Sequence, residues 1–174
     1  DTLGVLYIVE NGETIHSLAD LAGKTIYASG EGATPQYVLN YLLAQNGLTD
    51  QVTVKYVGEH TALAAMVASG EAQVALLPQP FVTSVMGQNE TLRVALDMTE
   101  EWDKATDGAS GLTMGCVVVR TEFAQQNKEA LDLFLDEYER SVQTVTSAEG
   151  LEHAAQLAEQ YNIVKAPVAR KAIP

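Results

Sequence analysis

The stretch TIYASGEGATPQYVLNYLLAQNG, residues 25–47, decides the architecture. Thr25-Ile26-Tyr27-Ala28 combines β-branched and aromatic residues, a composition that suits a strand. Ser29-Gly30-Glu31-Gly32-Ala33 reads as a tight glycine-rich loop. Thr34-Pro35 then opens a helix, with threonine as N-cap and proline at the first helical position, where a missing N–H is tolerated. Tyr37, Val38, Tyr41, Leu42 and Gln45 follow at helical spacing, and Gly47 supplies the stop.

The flanking sequence repeats this alternation. Leu3 to Val9 is a continuous apolar run, consistent with a strand buried on both faces. Asn11-Gly12 follows as a turn, and Ser17-Leu18-Ala19-Asp20 has the form of a capping box, with Gly23 ending a single helical turn. Downstream, Val52 to Val57 alternates with Thr53 and Lys55 as a strand. Thr61 to Ser69 reads as a helix carrying Leu63, Met66 and Val67 on one face, stopped by Gly70. Gln73 to Leu77 is another strand, interrupted by Pro78-Gln79-Pro80 before a helix from Phe81 to Met86. Leu92 to Leu96 is a further strand. Strands and helices in this order, joined by short connections, predict an α/β domain around a mostly parallel sheet with helices on both faces.

Beyond Thr99 the pattern changes. Thr99 to Gly111 is polar and reads as a loop leaving the first module. Met114 to Arg120 reads as a second buried strand. Asn127 to Val145 carries Leu131, Phe134, Leu135, Tyr138, Val142 and Val145 as an amphipathic helix. Ser147 caps another, with Leu151, Ala154, Ala155, Ala158 and Tyr161 inward. These two helices have no further strands to cover, so a second sheet is expected outside the sequence read here.

Composition removes several function classes. The 174 residues include 10 Lys and Arg against 23 Asp and Glu, a formal charge of −13. Nucleic acid is therefore not an expected partner, since cations neutralising phosphates supply most of that affinity. No run approaches the roughly 18 to 20 consecutive apolar residues of a membrane span. Asp1-Thr2-Leu3-Gly4 has no basic segment, so no signal peptide is expected within this stretch. Cys116, the single cysteine, lies in an apolar run and reads as a buried structural thiol. His16, His60 and His153 lack ligand spacing, so neither metal nor cofactor is expected. No nucleophile elbow or paired carboxylates suggest catalysis.

Two loops remain as candidates for function. Ser29, Gly30, Gly32, Ala33 and Thr34 form the first, between a strand and a helix N-terminus. Backbone N–H groups and the helix dipole there suit an anionic or polar ligand, where open sheets hold ligands at the carboxyl ends of strands. Gly30 to Pro35 is neither a dinucleotide fingerprint nor a Walker loop; a turn that simply needs glycine torsions explains it equally well. Gln79 and Pro80 form the second loop, where two prolines stiffen the backbone and Gln79 offers a donor and an acceptor. A rigid strand-to-helix turn is the alternative. His60-Thr61 could form a third wall or merely cap a helix.

The motifs taken together resemble a known family. Residues 17–26, SLADLAGKTI, are similar to the opening of the second lobe in type 2 periplasmic-binding-fold proteins. Gly32-Ala33-Thr34-Pro35 with Tyr37-Val38-Leu39 resembles the ligand loop of the nitrate/sulfonate/taurine-type branch. Ser69-Gly70-Glu71-Ala72-Gln73-Val74-Ala75, Pro78-Gln79-Pro80-Phe81 and Val117 to Phe123 resemble further segments in the same order. The resemblance runs from Leu3 to Tyr138 and rests on order and spacing together.

This resemblance implies the extracytoplasmic solute-binding component of an ABC importer, not an enzyme. It implies two α/β lobes joined by crossing strands and closing on a small organic or anionic solute by hinge motion. Residues 1–22 would then be a crossing strand and linker, 23–112 a complete ligand-binding lobe, and 113–174 a return strand and helices of an incomplete lobe. Ser29, Gly32, Ala33 and Thr34 would contact ligand, with Gln79 and Pro80 facing them. Gln79 stands where the family usually carries an acid, which leaves the ligand's charge open. An ABC permease is the implied partner of the whole protein, and the location is periplasmic or lipid-anchored at the cell surface. A homodimer through Leu131, Phe134, Leu135 and Tyr138 is expected from the uncovered helix face. Two alternatives share this fold: a thiamine-pyrimidine synthase-like enzyme, which is cysteine-rich, and the effector domain of a LysR-type regulator, which needs a winged helix upstream.

Overall fold

A computed structural model describes residues 2–174, with side chains from residue 4 onward. Asp1, the first residue of the expected linker, lies outside the described residues. Two compact units are present, Asp1–Gly115 and Cys116–Pro174.

The first unit is built on a five-stranded sheet. Its strands are β2 (Leu6–Asn11), β3 (Thr25–Ala28), β4 (Thr53–Tyr56), β5 (Val74–Pro78) and β6 (Leu92–Asp97) in the order β4-β3-β5-β2-β6. β3 runs parallel to β4 and β5, whereas β2 runs antiparallel to β5 and β6. All strands but β2 therefore point the same way, and the sheet is mostly parallel. A separate two-residue strand, β1 (Thr2–Leu3), pairs antiparallel with β7 (Thr113–Gly115).

Side-chain alternation divides the core. Ile8, Ala28, Leu76 and Leu96 pack on one face with Val38, Leu39, Leu42 and Leu43 of helix α1 (Thr34–Gln45) and Met98 of α4 (Met98–Ala105). Val9, Ala75 and Leu77 pack on the other with Leu63 and Val67 of α2 (His60–Ala68) and Val82 and Val85 of α3 (Phe81–Met86). Registers Ile8↔Leu76 and Val9↔Ala75 show the period of two that sends neighbours to opposite cores. β5 is buried from Val74 to Leu77 because it lies between two strands and under helices on both sides.

Three expectations are corrected. The run Leu3 to Val9 is broken at Gly4 (φ 62°), so that the buried strand is Leu6–Asn11, in the interior of this sheet between β5 and β6. Its apolar side chains can be buried on both faces only there. Thr99–Gly111 is not all loop, since α4 occupies Met98–Ala105. Asp97 caps it by accepting from the Thr99 amide, Glu100 and Glu101 sit in the first turn and Lys104 in the last, matching the helix dipole. Polarity concealed a helix whose core-facing side is Met98 with parts of Trp102 and Ala105. Finally, the strand expected over Met114 to Arg120 ends at Gly115, where its pairing with β1 ends. Val118 beyond it is 85% exposed, and Cys116 is exposed rather than buried. A strand needs a ladder partner for its backbone groups, and among the described residues 116–120 pair with none.

The second unit contains α5 (Thr121–Gln126), α6 (Lys128–Thr146), α7 (Ala148–Gln160) and α8 (Ala166–Ala172). Ser147 caps α7 by accepting from the Gly150 amide. Ala155, Ala166 and Ala169 form a small core between α7 and α8. Leu133, Phe134, Leu135 and Val142 on α6 are exposed. Among the described residues no helix is long and apolar enough to cross a membrane.

Candidate functional site

Topology places the two candidate loops at one end of the sheet. β3 and β5 are parallel neighbours. The chain leaving β3 enters α1 on one face, and the chain leaving β5 enters α3 on the other. Parting connections open a crevice at the carboxyl ends of adjacent strands, the place where open α/β sheets hold ligands. Ser29–Thr34 follows β3, and Gln79–Pro80 follows β5.

Ser29 is the buried member of its loop, 1% exposed. Its hydroxyl lies 2.6 Å from Nδ1 of His60, the first residue of α2. The His60 ring in turn packs on Phe81, with centroids 5.4 Å apart. This chain of contacts links the ends of β3 and β5 through the start of α2, so Ser29 reaches the Gln79–Phe81 turn by way of His60. The N-cap of α2 is Glu59, so neither His60 nor Thr61 caps that helix. The partnership of His60 with Ser29 was not legible in sequence, because 30 intervening residues separate them.

The glycine loop is shaped by its own bonds. Gly30 (φ 80°) and Gly32 (φ 77°) adopt torsions that only glycine takes without strain. A Cβ on Gly30 would also meet Pro35 Cγ at 3.1 Å. The Ala33 amide donates to the Gly30 carbonyl, and the Gly32 amide donates to Gln36 Oε1 at 2.7 Å. Ala33, extended at φ −124°, is the N-cap of α1; Thr34 and Pro35 are the first helical residues. The cap thus lies one residue earlier in the chain than the Thr34 expected. Glu31 is exposed. At the end of β4 the Tyr56 phenol is pushed up, by burial first and the Glu31 charge second, against an opposing pull from Gln36.

Gln79 is held from both sides. Its amide donates to the Val5 carbonyl at 2.8 Å, and its Oε1 accepts from the Thr83 hydroxyl at 2.9 Å and the Thr83 amide at 3.2 Å. The side-chain carbonyl is therefore spent capping α3, which leaves its NH2 as the group free to turn toward a ligand. The Gln79-Pro80 bond is cis. Tyr7, opposite Leu77 in register, donates its hydroxyl to the Gly4 carbonyl at 2.6 Å, and burial, then Asp97, push its phenol up.

Comparison with known proteins bears on this arrangement. Residues 1–163 match the family model described as "ABC transporter, phosphonate, periplasmic substrate-binding protein". The chain belongs to that family. Its members are binding proteins of transporters, and the family is extracytoplasmic. Against curated proteins no match is found. Among solved structures, the periplasmic aliphatic sulphonate binding protein SsuA from Escherichia coli superposes with a TM-score of 0.72 at 20% identity, over 98% of this chain and 51% of that one. An ABC transporter structure from Parabacteroides distasonis gives 0.71 at 20% identity, over 97% and 56%. The alkanesulfonate-binding protein SsuA from Xanthomonas axonopodis pv. citri, bound to MOPS, gives 0.66 at 17% identity, over 98% and 54%. These likenesses establish the periplasmic-binding fold. The chain spans about half the length of the structures it matches.

Proposed function

We propose that this chain is the solute-recognising part of an ABC importer's extracytoplasmic receptor, and that it takes a small organic anion of the phosphonate or sulfonate kind. The observation that carries this reading is the buried Ser29 hydroxyl, 2.6 Å from His60, at the head of α1. With a chain charge of −13, the general field repels anions, so attraction must be local. Ser29, the amides of Gly30 and Thr34, and the helix dipole supply donors at that spot, the Gly32 and Ala33 amides being engaged within the loop. Gln79 and Pro80 supply the opposite rim. Family membership and a structural relative holding MOPS, itself an organic sulfonate, agree with that chemistry.

The rest of the receptor reading follows from length. Since the matched structures are about twice as long, the solute closes between this lobe and a second one, and residues 113–174 belong with that second lobe. A permease is the partner of the whole protein, which is periplasmic or lipid-anchored. The solute is bound and released unchanged. The exposed Phe134 face of α6 pairs with a second copy when nothing else covers it; sedimentation showing a monomer at high concentration would refute that pairing.

Titration of the chain with methylphosphonate and methanesulfonate, followed by NMR, tests the central claim. Shifts are expected at residues 29–34, 60 and 79–81. Ser29→Ala and His60→Ala are each expected to weaken binding about tenfold or more, by removing a hydrogen bond to a charged group. Unchanged affinity in both variants, or conversion of the methylphosphonate in its 31P spectrum, would refute it.

A further inference from the structure

Beside the anion loop lies a second hollow, entirely within the first unit. It measures about 440 Å3 and is lined by Thr34, Tyr37, Val38 and Tyr41 of α1, Trp102 of α4, and Gly111, Leu112 and Thr113. Thr34, Tyr37, Val38 and Tyr41 recur at three and four residues, so they form one stripe along α1 beginning at its first turn. Tyr41 and Trp102 pack with ring centroids 4.9 Å apart. The indole N–H donates to the Ser110 carbonyl at 3.0 Å, so the only polar atom of that ring is engaged and its apolar surface is what remains to offer. Leu112 and Val38 are buried at the base, while Tyr37 stands 64% exposed at the rim. Volume and lining suit a small-molecule group that is apolar and flat.

We propose that this hollow receives the apolar, preferably aromatic, part of the solute whose anionic head sits at the glycine loop. The inference rests on the anion-binding reading above and extends it. Thr34 is the connection: it belongs both to the loop at the positive end of α1 and to the lining of the hollow. A ligand anchored at that helix end therefore has an aromatic stripe directly along the same helix. The solute class is then an arylated or ring-bearing phosphonate or sulfonate rather than a methyl-sized one.

Trp102 is the only tryptophan, so its emission reports on this wall without engineering. The full chain is titrated with benzenesulfonate, methanesulfonate and neutral benzyl alcohol, with Tyr37→Ser and Ser29→Ala variants beside the parent. Benzenesulfonate is expected to change Trp102 emission saturably and to bind roughly tenfold tighter than methanesulfonate, an advantage that aromatic packing can supply and that Tyr37→Ser abolishes. Equal, Ser29-dependent affinities with silent Trp102 emission would overturn the hollow while leaving the anion site standing. Benzyl alcohol binding as well as benzenesulfonate, insensitive to Ser29→Ala, would show two unconnected sites and overturn it. Emission that varies with protein concentration alone would assign the hollow to self-association, again overturning it. Binding of neither sulfonate would remove both readings.

Discussion

Replacing Glu10 separates what holds this fold from what binds. Glu10 is the next-to-last residue of β2, with its side chain 3% exposed. The carboxylate accepts from the Thr14 amide at 2.9 Å, the Thr14 hydroxyl, the Ile15 amide at 3.1 Å and Arg93 Nη2 at 2.8 Å. Arg93 continues the network to the Ile15 and Gly12 carbonyls. One carboxylate thus ties the 12–15 turn to β2 and β6. Glu10→Ala strands two amides and a guanidinium. Losing a buried partner of this kind costs about 3–5 kcal/mol, and the 30% exposure of Arg93 lets water recover part, leaving about 2–4 kcal/mol. For a chain of this size that lowers Tm by roughly 5–12 °C.

Urea unfolding followed by Trp102 emission measures that loss. Because β2 runs opposite to its neighbours, Glu10 pairs with Val74 at the start of β5, at the far end of the sheet from Ser29. Solute affinity of the folded variant should therefore be unchanged. The pH dependence has a definite sign. Burial alone would raise the Glu10 pKa, but the bonds from Thr14 and Ile15 and the charge of Arg93 outweigh it and lower it below 4.5. A depressed folded pKa contributes stability above the unfolded value, near 4.5, and that contribution disappears as pH falls through the folded value. The parent should lose its margin over Glu10→Ala only in that acid window. A destabilisation below about 0.5 kcal/mol at pH 7, the range of ordinary surface changes, would refute the reasoning.

Three further outcomes are expected. Gly30→Ala, forced to a positive φ and against Pro35, should cost about 1–2 kcal/mol in stability and weaken solute binding; an unchanged urea midpoint would count against it. In the second unit, the hydrogen bonds of Arg170 foremost hold the Glu152 carboxyl down to about 2. NMR titration should find it there in the parent and closer to 4.5 in Arg170→Ala, any stability from the pair being lost as pH drops from 4.5 toward 2; no difference between the two would refute the pairing. Cys116, being exposed, should react with a thiol reagent in the native protein as readily as in urea, and protection until unfolding would contradict its placement.

Much of the lobe was legible in order. Residues 25–47 announced strand, loop and helix because glycine, proline and apolar spacing are local signals, and β3 and α1 lie where they indicated. What local signals cannot carry is pairing. Nothing in Leu6–Asn11 states that it runs against its neighbours between β5 and β6, nor that of Met114–Arg120 only Met114 and Gly115 lie in a paired strand, Thr113–Gly115. α4 escaped for a different reason: its residues are mostly polar, so almost no apolar spacing marks it as a helix.

The site divides along the same line. The sequence by itself determined the chemistry available at the two loops: glycines that accept positive φ, a helix that begins with proline, a turn stiffened by two prolines. These depend only on torsions and on groups within a few residues of each other. Tertiary structure decided that the loops leave adjacent parallel strands toward opposite faces, that His60 bridges Ser29 to Phe81, and that Trp102 closes over Tyr41. Contacts between residues so far apart in the chain form because burying both faces of one sheet admits few arrangements, and the sequence encodes that choice only through the whole core.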